Sequence, residues 1–174
     1  RMKVKTLIED TSCGDLWERE HGLSLYLETE RHRLLFDTGQ SALFLTNAAG
    51  MELDISQIDT VVISHGHYDH GGGLPAFLQR NRTARVYLNE KALEPHFSRQ
   101  EDGDMRFIGL DETLKENIQI QFVEKVLNID EELTIFSGVT GREFFSEANS
   151  VLLERDGSQY KEDEFLHEQN LIVR

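Results

Sequence analysis

The sequence predicts an α/β layered domain, and three features carry that expectation. Short aliphatic or β-branched runs, residues 4–8 and 60–64 above all, alternate with stretches of helical character. No internal repeat, low-complexity tract or Pro/Gly/Ser-rich linker interrupts them. The 174 residues, 39% of them hydrophobic, suit one domain whose core needs no disulfides. Strands flanked by helices bury their apolar faces by stacking in layers.

Taken in order, residues 4–8 (VKTLI) read as the first strand. Residues 22–28 (GLSLYLE) alternate with period two and pair across ETERH with residues 33–36 (RLLF), suggesting a hairpin. Residues 41–49 (SALFLTNAA) form a short helix capped by Ser41 and ended by Gly50. Residues 60–64 (TVVIS) are a continuous apolar run of the kind found in strands buried on both faces. A helix follows over 74–81 with Pro75 in its first turn, then a strand over 85–88 and a helical stretch over 89–97. Past a loop rich in Gly and Asp, residues 118–123, 133–137, 150–154 and 171–173 read as strands. The charged run 161–164 (KEDE) reads as a solvated turn outside any metal site.

A formal charge of −14, from 32 acidic against 18 basic residues, repels polyanions. No basic stripe with interleaved aromatics offsets it, so nucleic acid is not an expected partner. A small anionic substrate stays compatible, because a bound dication reverses the potential locally. No apolar run approaches the roughly 20 residues of a membrane span, so no membrane partner is expected. The absence of a signal-peptide core and the single cysteine, Cys13, point to the reducing cytoplasm. Cys13 lies in TSCGD with no base nearby and reads as a loop thiol rather than a nucleophile.

The chemistry concentrates in Ser64-His65-Gly66-His67-Tyr68-Asp69-His70-Gly71-Gly72-Gly73. His65, His67, Asp69 and His70 stand at i, i+2, i+4 and i+5 directly after a buried strand. Chance rarely sets four ligand-type residues at the C-terminal edge of a sheet, where such folds bind ligands. Imidazole suits Zn, Fe, Ni and Cu, and a carboxylate oxygen extends the choice to Mn and Mg. Gly66 lets the chain bend between two histidines, and the glycines after His70 permit tight turns near a metal. Tyr68 points away from the ligands or lines the site.

His-Gly-His-Tyr-Asp-His resembles the HxHxDH motif of the metallo-β-lactamase superfamily, and residues 34–39 (LLFDTG) resemble its first motif. Residues 20–25 (EHGLSL), 62–67 (VISHGH) and 165–173 (FLHEQNLIV) narrow the likeness to dihydropterin–ribofuranosylaminobenzene-phosphate synthase-like proteins, along most of the chain. The resemblance implies one αββα-sandwich domain over residues 1–174. It implies a first metal on His65 and His67, a second on Asp69 and His70, and Asp37 supporting them by hydrogen bonds. Two zinc ions are the implied cofactors, with Mn, Fe or Mg also suited to the donors. The implied activity is that of a metal-dependent hydrolase or related transferase on a small substrate that can carry a phosphate. The nucleophile is a water whose pKa the metal lowers to about 7, oriented by Asp69. Glu20, His21, His167 and Glu168 fall in the subgroup's segments and are candidates for substrate contact or for supporting the ligands. Each also reads as an ordinary hairpin-entry or strand-edge residue, and His96 reads as a surface-helix histidine.

The likeness has gaps. A full site of this family takes a third histidine, a bridging acid and a last histidine from downstream motifs resembling Gly-Cys-Ser-His and a C-terminal histidine segment. Neither occurs before Arg174. The sandwich is therefore expected to be incomplete at its C-terminus, the first half plus the start of the second. The alternative is a non-catalytic metal-binding module, or a half-domain that self-associates or joins a complementary chain.

Overall fold

The computed structural model describes residues 1–141 and 146–174. A six-stranded sheet runs in the order β1 (Lys3–Ile8), β2 (Ser24–Glu28), β3 (Arg33–Phe36), β4 (Thr60–Val62), β5 (Arg85–Asn89) and β8 (Ile120–Val123). Its first three strands are antiparallel, with Leu25 opposite Phe36 and Glu28 opposite Arg33 in the hairpin. From β3 onward the pairing is parallel, so each connection is a crossover. Helix α1 (Leu43–Gly50) joins β3 to β4, and the short α2 (Tyr68–Gly71) and α3 (Leu74–Arg80) lie between β4 and β5.

Alternation along these strands shows why their sequences are apolar without interruption. Val61, Leu35, Val86 and Leu88 face one side, packed with Phe44 and Ala48 of α1 and Leu74 and Phe77 of α3. Val62, Leu34 and Tyr87 face the other side, against Leu133 and Ile135. Those two belong to a second sheet of β9 (Val126–Asn128), β10 (Leu133–Ser137) and β13 (Gln169–Val173), ordered β13-β10-β9. Both faces of the central strands are thus covered, one by helices and one by a sheet. Among the described residues no α-helix follows Arg80. A third sheet, ordered β12-β11-β6-β7, contains β6 (His96–Arg99), β7 (Met105–Phe107), β11 (Leu152–Asp156) and β12 (Gln159–Glu162).

Three expectations are corrected. Residues 89–97 are not helical: Asn89 Oδ1 accepts the Lys91 amide in a local turn, and β6 follows, pairing His96 with Glu154. Pro95 disfavours the helical region at the residue before it, which helps end any helix there. Ser41 does not cap α1 in the usual position; Ala42 is the cap residue, and Ser41 Oγ accepts the Leu43 amide at 3.1 Å. The run 161–164 is not simply a solvated turn. It finishes β12 and then buries Asp163, which is 1% exposed.

The first and second sheets are also joined electrostatically. His32 Nδ1 lies 2.7 Å from Asp59, just before β4, and Nε2 lies 2.8 Å from Asp130, between β9 and β10. Burial lowers the affinity of His32 for its second proton, but bonds to Asp130 and Asp59 outweigh this, and its pKa rises. Asp130 is correspondingly held at about 2, chiefly by the His32 bond. The His32 contribution is therefore complete below its unfolded pKa of about 6.5 and disappears as pH rises through the higher folded value. The Asp130 contribution is present above its unfolded pKa of about 3.9 and disappears as pH falls toward the folded value. Stability should peak between these limits, with Tm falling on the alkaline side by roughly 2–4 °C for a chain of this size. Thermal melts of wild type and His32→Gln check this; an alkaline fall that persists in the variant would place its origin elsewhere.

Candidate metal centre

The candidate site sits at the C-terminal ends of β3 and β4. The chain leaves β3 through Asp37, whose φ of 59° turns its buried carboxylate back under the loop after β4. Asp37 Oδ1 accepts the Ser64 amide, while Oδ2 accepts the Ser64 hydroxyl and His70 Nδ1–H, each at 2.7 Å. Main-chain bonds from Asp37 N to Val62 O at 2.9 Å and from Thr38 N to His70 O at 2.7 Å lock the two loops together. His67 is the N-terminal cap residue of α2, so Tyr68–Gly71 make one helical turn that returns Asp69 and His70 toward His65. The glycines after His70 allow close approach rather than reversed turns. None has a positive φ, and a Cβ on Gly73 would sit 2.6 Å from the carbonyl oxygens of Thr38 and Ser41.

Hydrogen-bond accounting fixes how each imidazole presents itself. The Ser64 hydroxyl donates its proton to Asp37, so its oxygen must accept from His65 Nδ1–H at 2.8 Å. This leaves Nε2 of His65 with a free lone pair. His70 spends Nδ1–H on Asp37, and its Nε2 makes no hydrogen bond among the described residues but lies 3.5 Å from Asp69 Oδ2. His67 is tied through the other nitrogen, Nε2–H to Asp163 Oδ2 at 3.2 Å, which leaves Nδ1 free. Burial, with His70 and His67 close by, holds the His65 pKa well below the ordinary range, so this ring is neutral and able to bind a cation. His70 is pushed down by burial, but its bond to Asp37 and the nearby carboxylates raise it overall.

The structure brings His65, Asp69 and His70 together, with one ligand atom from each within 4.8 Å of the others. His67 stands beside them, its ring 4.7 Å from that of His65, but its Nε2 belongs to a second and fully buried group with His96, Asp163 and His167. His96 is thus a buried strand residue rather than a surface-helix one.

The other candidates divide. His21 is exposed and bridges Asp10, at 3.2 Å, and Asp69 Oδ2, at 3.3 Å. Glu20 braces the loop after Asp37, accepting the amides of Gln40 and Ser41 at 3.1 Å and the Ser41 hydroxyl at 2.6 Å. His167 is buried and accepts the Gly66 amide on Nδ1 at 2.8 Å. Glu168 is exposed, and among the described residues its side chain bonds to none of the ligand candidates. Tyr68 turns outward beneath the Arg106 guanidinium, 5.5 Å from its ring centre. Ser64 and Asp163 were not singled out as site residues by the sequence, whereas Gln169 lies in the same segment as His167 and Glu168 and shares their candidacy. Asp163 and His167 do share a spacing of i, i+4 in DEFLH, but that signal is too weak without the fold.

The imidazoles of His65, His67 and His70, each tethered to the protein through one ring nitrogen, together with the Asp69 carboxylate, are donors of the kind that suit a divalent transition metal. The sequence pattern of the metallo-β-lactamase superfamily matches residues 17–157. The chain belongs to that superfamily. Tm1679, a metal-dependent hydrolase of the β-lactamase superfamily, has a solved structure that superimposes with a TM-score of 0.79 at 32% identity, covering 100% of this chain and 62% of its own. An uncharacterised protein of Methanocaldococcus jannaschii is 28% identical over 92% of this chain and 62% of its own length. From the same organism, 7,8-dihydropterin-6-methyl-4-(β-D-ribofuranosyl)-aminobenzene-5′-phosphate synthase is 31% identical over 68% of this chain and 42% of its own length. The chain therefore spans about three fifths of the first of these relatives. The metallo-β-lactamase fold and the subgroup likeness expected from the sequence are both found.

Proposed function

We propose that this chain carries the metal-holding half of a metallohydrolase, or related transferase, acting on a small phosphate-bearing molecule. The observation that carries this reading is that His65, His67 and His70 each have one ring nitrogen tied to the protein and the other without a hydrogen bond among the described residues. Supporting hydrogen bonds of this kind orient histidine ligands and raise their basicity. His65 and His67 would hold one metal, Asp69 and His70 a second, with zinc first among the fitting ions. When bound, such ions supply positive charge that makes water nucleophilic near neutral pH and polarises a carbonyl or phosphoryl oxygen.

The chain's own residues do the rest. Asp69, with its side chain 15% exposed, lies beside His65 and His70 and can accept a proton from the attacking water. His21 connects Asp69 to Asp10 and offers an exit for that proton toward solvent. Asp37, itself fully enclosed, keeps His70 oriented without touching substrate. The phosphate-bearing substrate class is supported by the synthase relative, whose name includes a 5′-phosphate. A chain charge of −14 makes local neutralisation at the site a condition for binding such an anion.

Metal analysis of protein purified without chelator tests this reading. One to two transition-metal ions per chain are expected, lost in His65→Ala; equal metal in both proteins would sink it. A second reading, a metal-holding module without turnover, is favoured by one observation. Among the described residues this half-buried group holds only His65, Asp69 and His70 within 4.8 Å, fewer ligands than two ions need. In that case a second copy or a complementary chain would supply the missing ligands. Metal retention without phosphoesterase activity, restored on adding that chain, would distinguish the two.

A further inference from the structure

The buried group behind the motif has two physical readings. Asp163 Oδ2 lies 3.2 Å from His67 Nε2, 3.1 Å from His167 Nε2 and 3.5 Å from His96 Nδ1. Such spacings resemble the edges of a four-ligand metal shell. The Gly66 amide decides against that reading. It donates to His167 Nδ1 at 2.8 Å and occupies the one lone pair of the neutral ring. His167 Nε2 then carries a proton and donates to Asp163 instead of binding a metal.

We propose that Asp163 is the positioning residue for His67, holding Nε2–H on one carboxylate oxygen so that Nδ1 faces the motif site. This deepens the function proposed above and rests on it. Both oxygens of Asp163 are committed: Oδ1 accepts the Phe165 amide at 2.7 Å, and Oδ2 accepts from His67 and His167. The same segment clamps the backbone that carries the ligands. The Gln169 amide donates to Ser64 O at 2.7 Å, and its side-chain amide donates to Ile63 O at 2.8 Å and Tyr87 O at 3.0 Å. Phe165 stacks on His167, with ring centres 5.6 Å apart, and meets His67 edge-on at the same distance. Residues 163–169 therefore act as a latch. The HxHxDH loop acquires its His67 orientation only when a segment about a hundred positions later docks on it.

The first test needs no variant. A long-range 1H–15N spectrum of the metal-free protein at about pH 8, where histidines are mostly neutral, should show His67 protonated on Nε2 alone. Protonation on Nδ1 would overturn the proposal. Asp163→Asn is the second test. Whichever end of the asparagine carries NH2 faces an N–H donor, Phe165 on one side or the two histidines on the other. Zinc affinity should fall about 10–100-fold, with loss of the single His67 tautomer. Unchanged affinity would overturn this proposal alone, whereas no metal binding in the wild type would overturn the function reading and this one together. If the variant does not fold, the wild-type spectrum decides. A metal ion retained by the His65→Ala/His70→Ala double variant and released on adding His96→Ala would overturn the proposal and make the buried group a metal site.

Discussion

Asp37→Ala is expected to remove metal binding and to cost about 3–5 kcal/mol of folding stability, the range found when one partner of a buried charged pair is deleted. Asp37 is fully buried and accepts three hydrogen bonds from two segments of the ligand loop. Its removal leaves the Ser64 amide and His70 Nδ1–H in a space closed to water, and unmade bonds there cost more than made ones contribute. The backbone adds a second penalty. At φ 59° aspartate is tolerated, whereas alanine meets the left-handed strain of about 1–2 kcal/mol. Asp37→Asn separates the two effects. Asparagine keeps the shape and tolerates this φ, and its oxygen can still receive the Ser64 amide. Its NH2 then points at His70 Nδ1 and turns that nitrogen into an acceptor. The proton moves to Nε2, and the lone pair offered to the metal is lost. Denaturant unfolding should show a small loss for Asp37→Asn and a large one for Asp37→Ala, while zinc titration shows both weakened, Asp37→Asn by about 10–100-fold. Wild-type zinc affinity in Asp37→Asn would refute the tautomer account.

The sequence was most legible where one physical constraint acts alone. TVVIS could only be a strand covered on both sides, and Val61 and Val62 do enter different cores. The hairpin followed from alternation, and its register places Leu25 opposite Phe36. Legibility failed where long-range pairing overrides local preference. Residues 96–99 become a strand because β11, more than fifty positions later, pairs with them. β12 is exposed along its whole length and carries no apolar period at all. The same division holds at the site. His65, His67, Asp69, His70 and Asp37 lie in compact motifs, so residue type and spacing expose them. Asp163 sits inside KEDE, indistinguishable in composition from a solvated acidic turn, and only the docking of residues 163–169 brings it to His67. A buried carboxylate would be costly on its own. Burial does push the pKa of Asp163 upward, but hydrogen bonds from His167 and His67, with His96 close by, outweigh it and hold the carboxyl well below the usual range.

Gly66→Ala should be the most damaging single-methyl change in the molecule's ligand loop. A Cβ there would lie 2.1 Å from Ala92 O, 2.8 Å from Ala92 C and 2.9 Å from its Cα, all of them backbone atoms. No rotamer change relieves that overlap, so the turn at residues 89–92 or the His65–His67 backbone has to move. Overpacking of this kind costs about 1–3 kcal/mol, and the upper end is expected because the Gly66 amide also loses its aim at His167. Displacing both flanking histidines should weaken zinc binding by about 10–100-fold, comparable to loss of a supporting partner. Gly71→Ala is the control with the same added atom. Its Cβ would meet Leu110 Cδ1 and Cδ2 at 2.8 Å, the ends of a side chain that can rotate away. Alanine is also favoured over glycine in a helical turn by about 1 kcal/mol, which offsets much of the crowding. Urea midpoints and zinc affinities should therefore separate the two variants clearly. Equal tolerance of both would mean that residues 89–92 do not press on the loop, leaving the hydrogen bonds of Asp37 and Asp163 to set the ligand geometry alone.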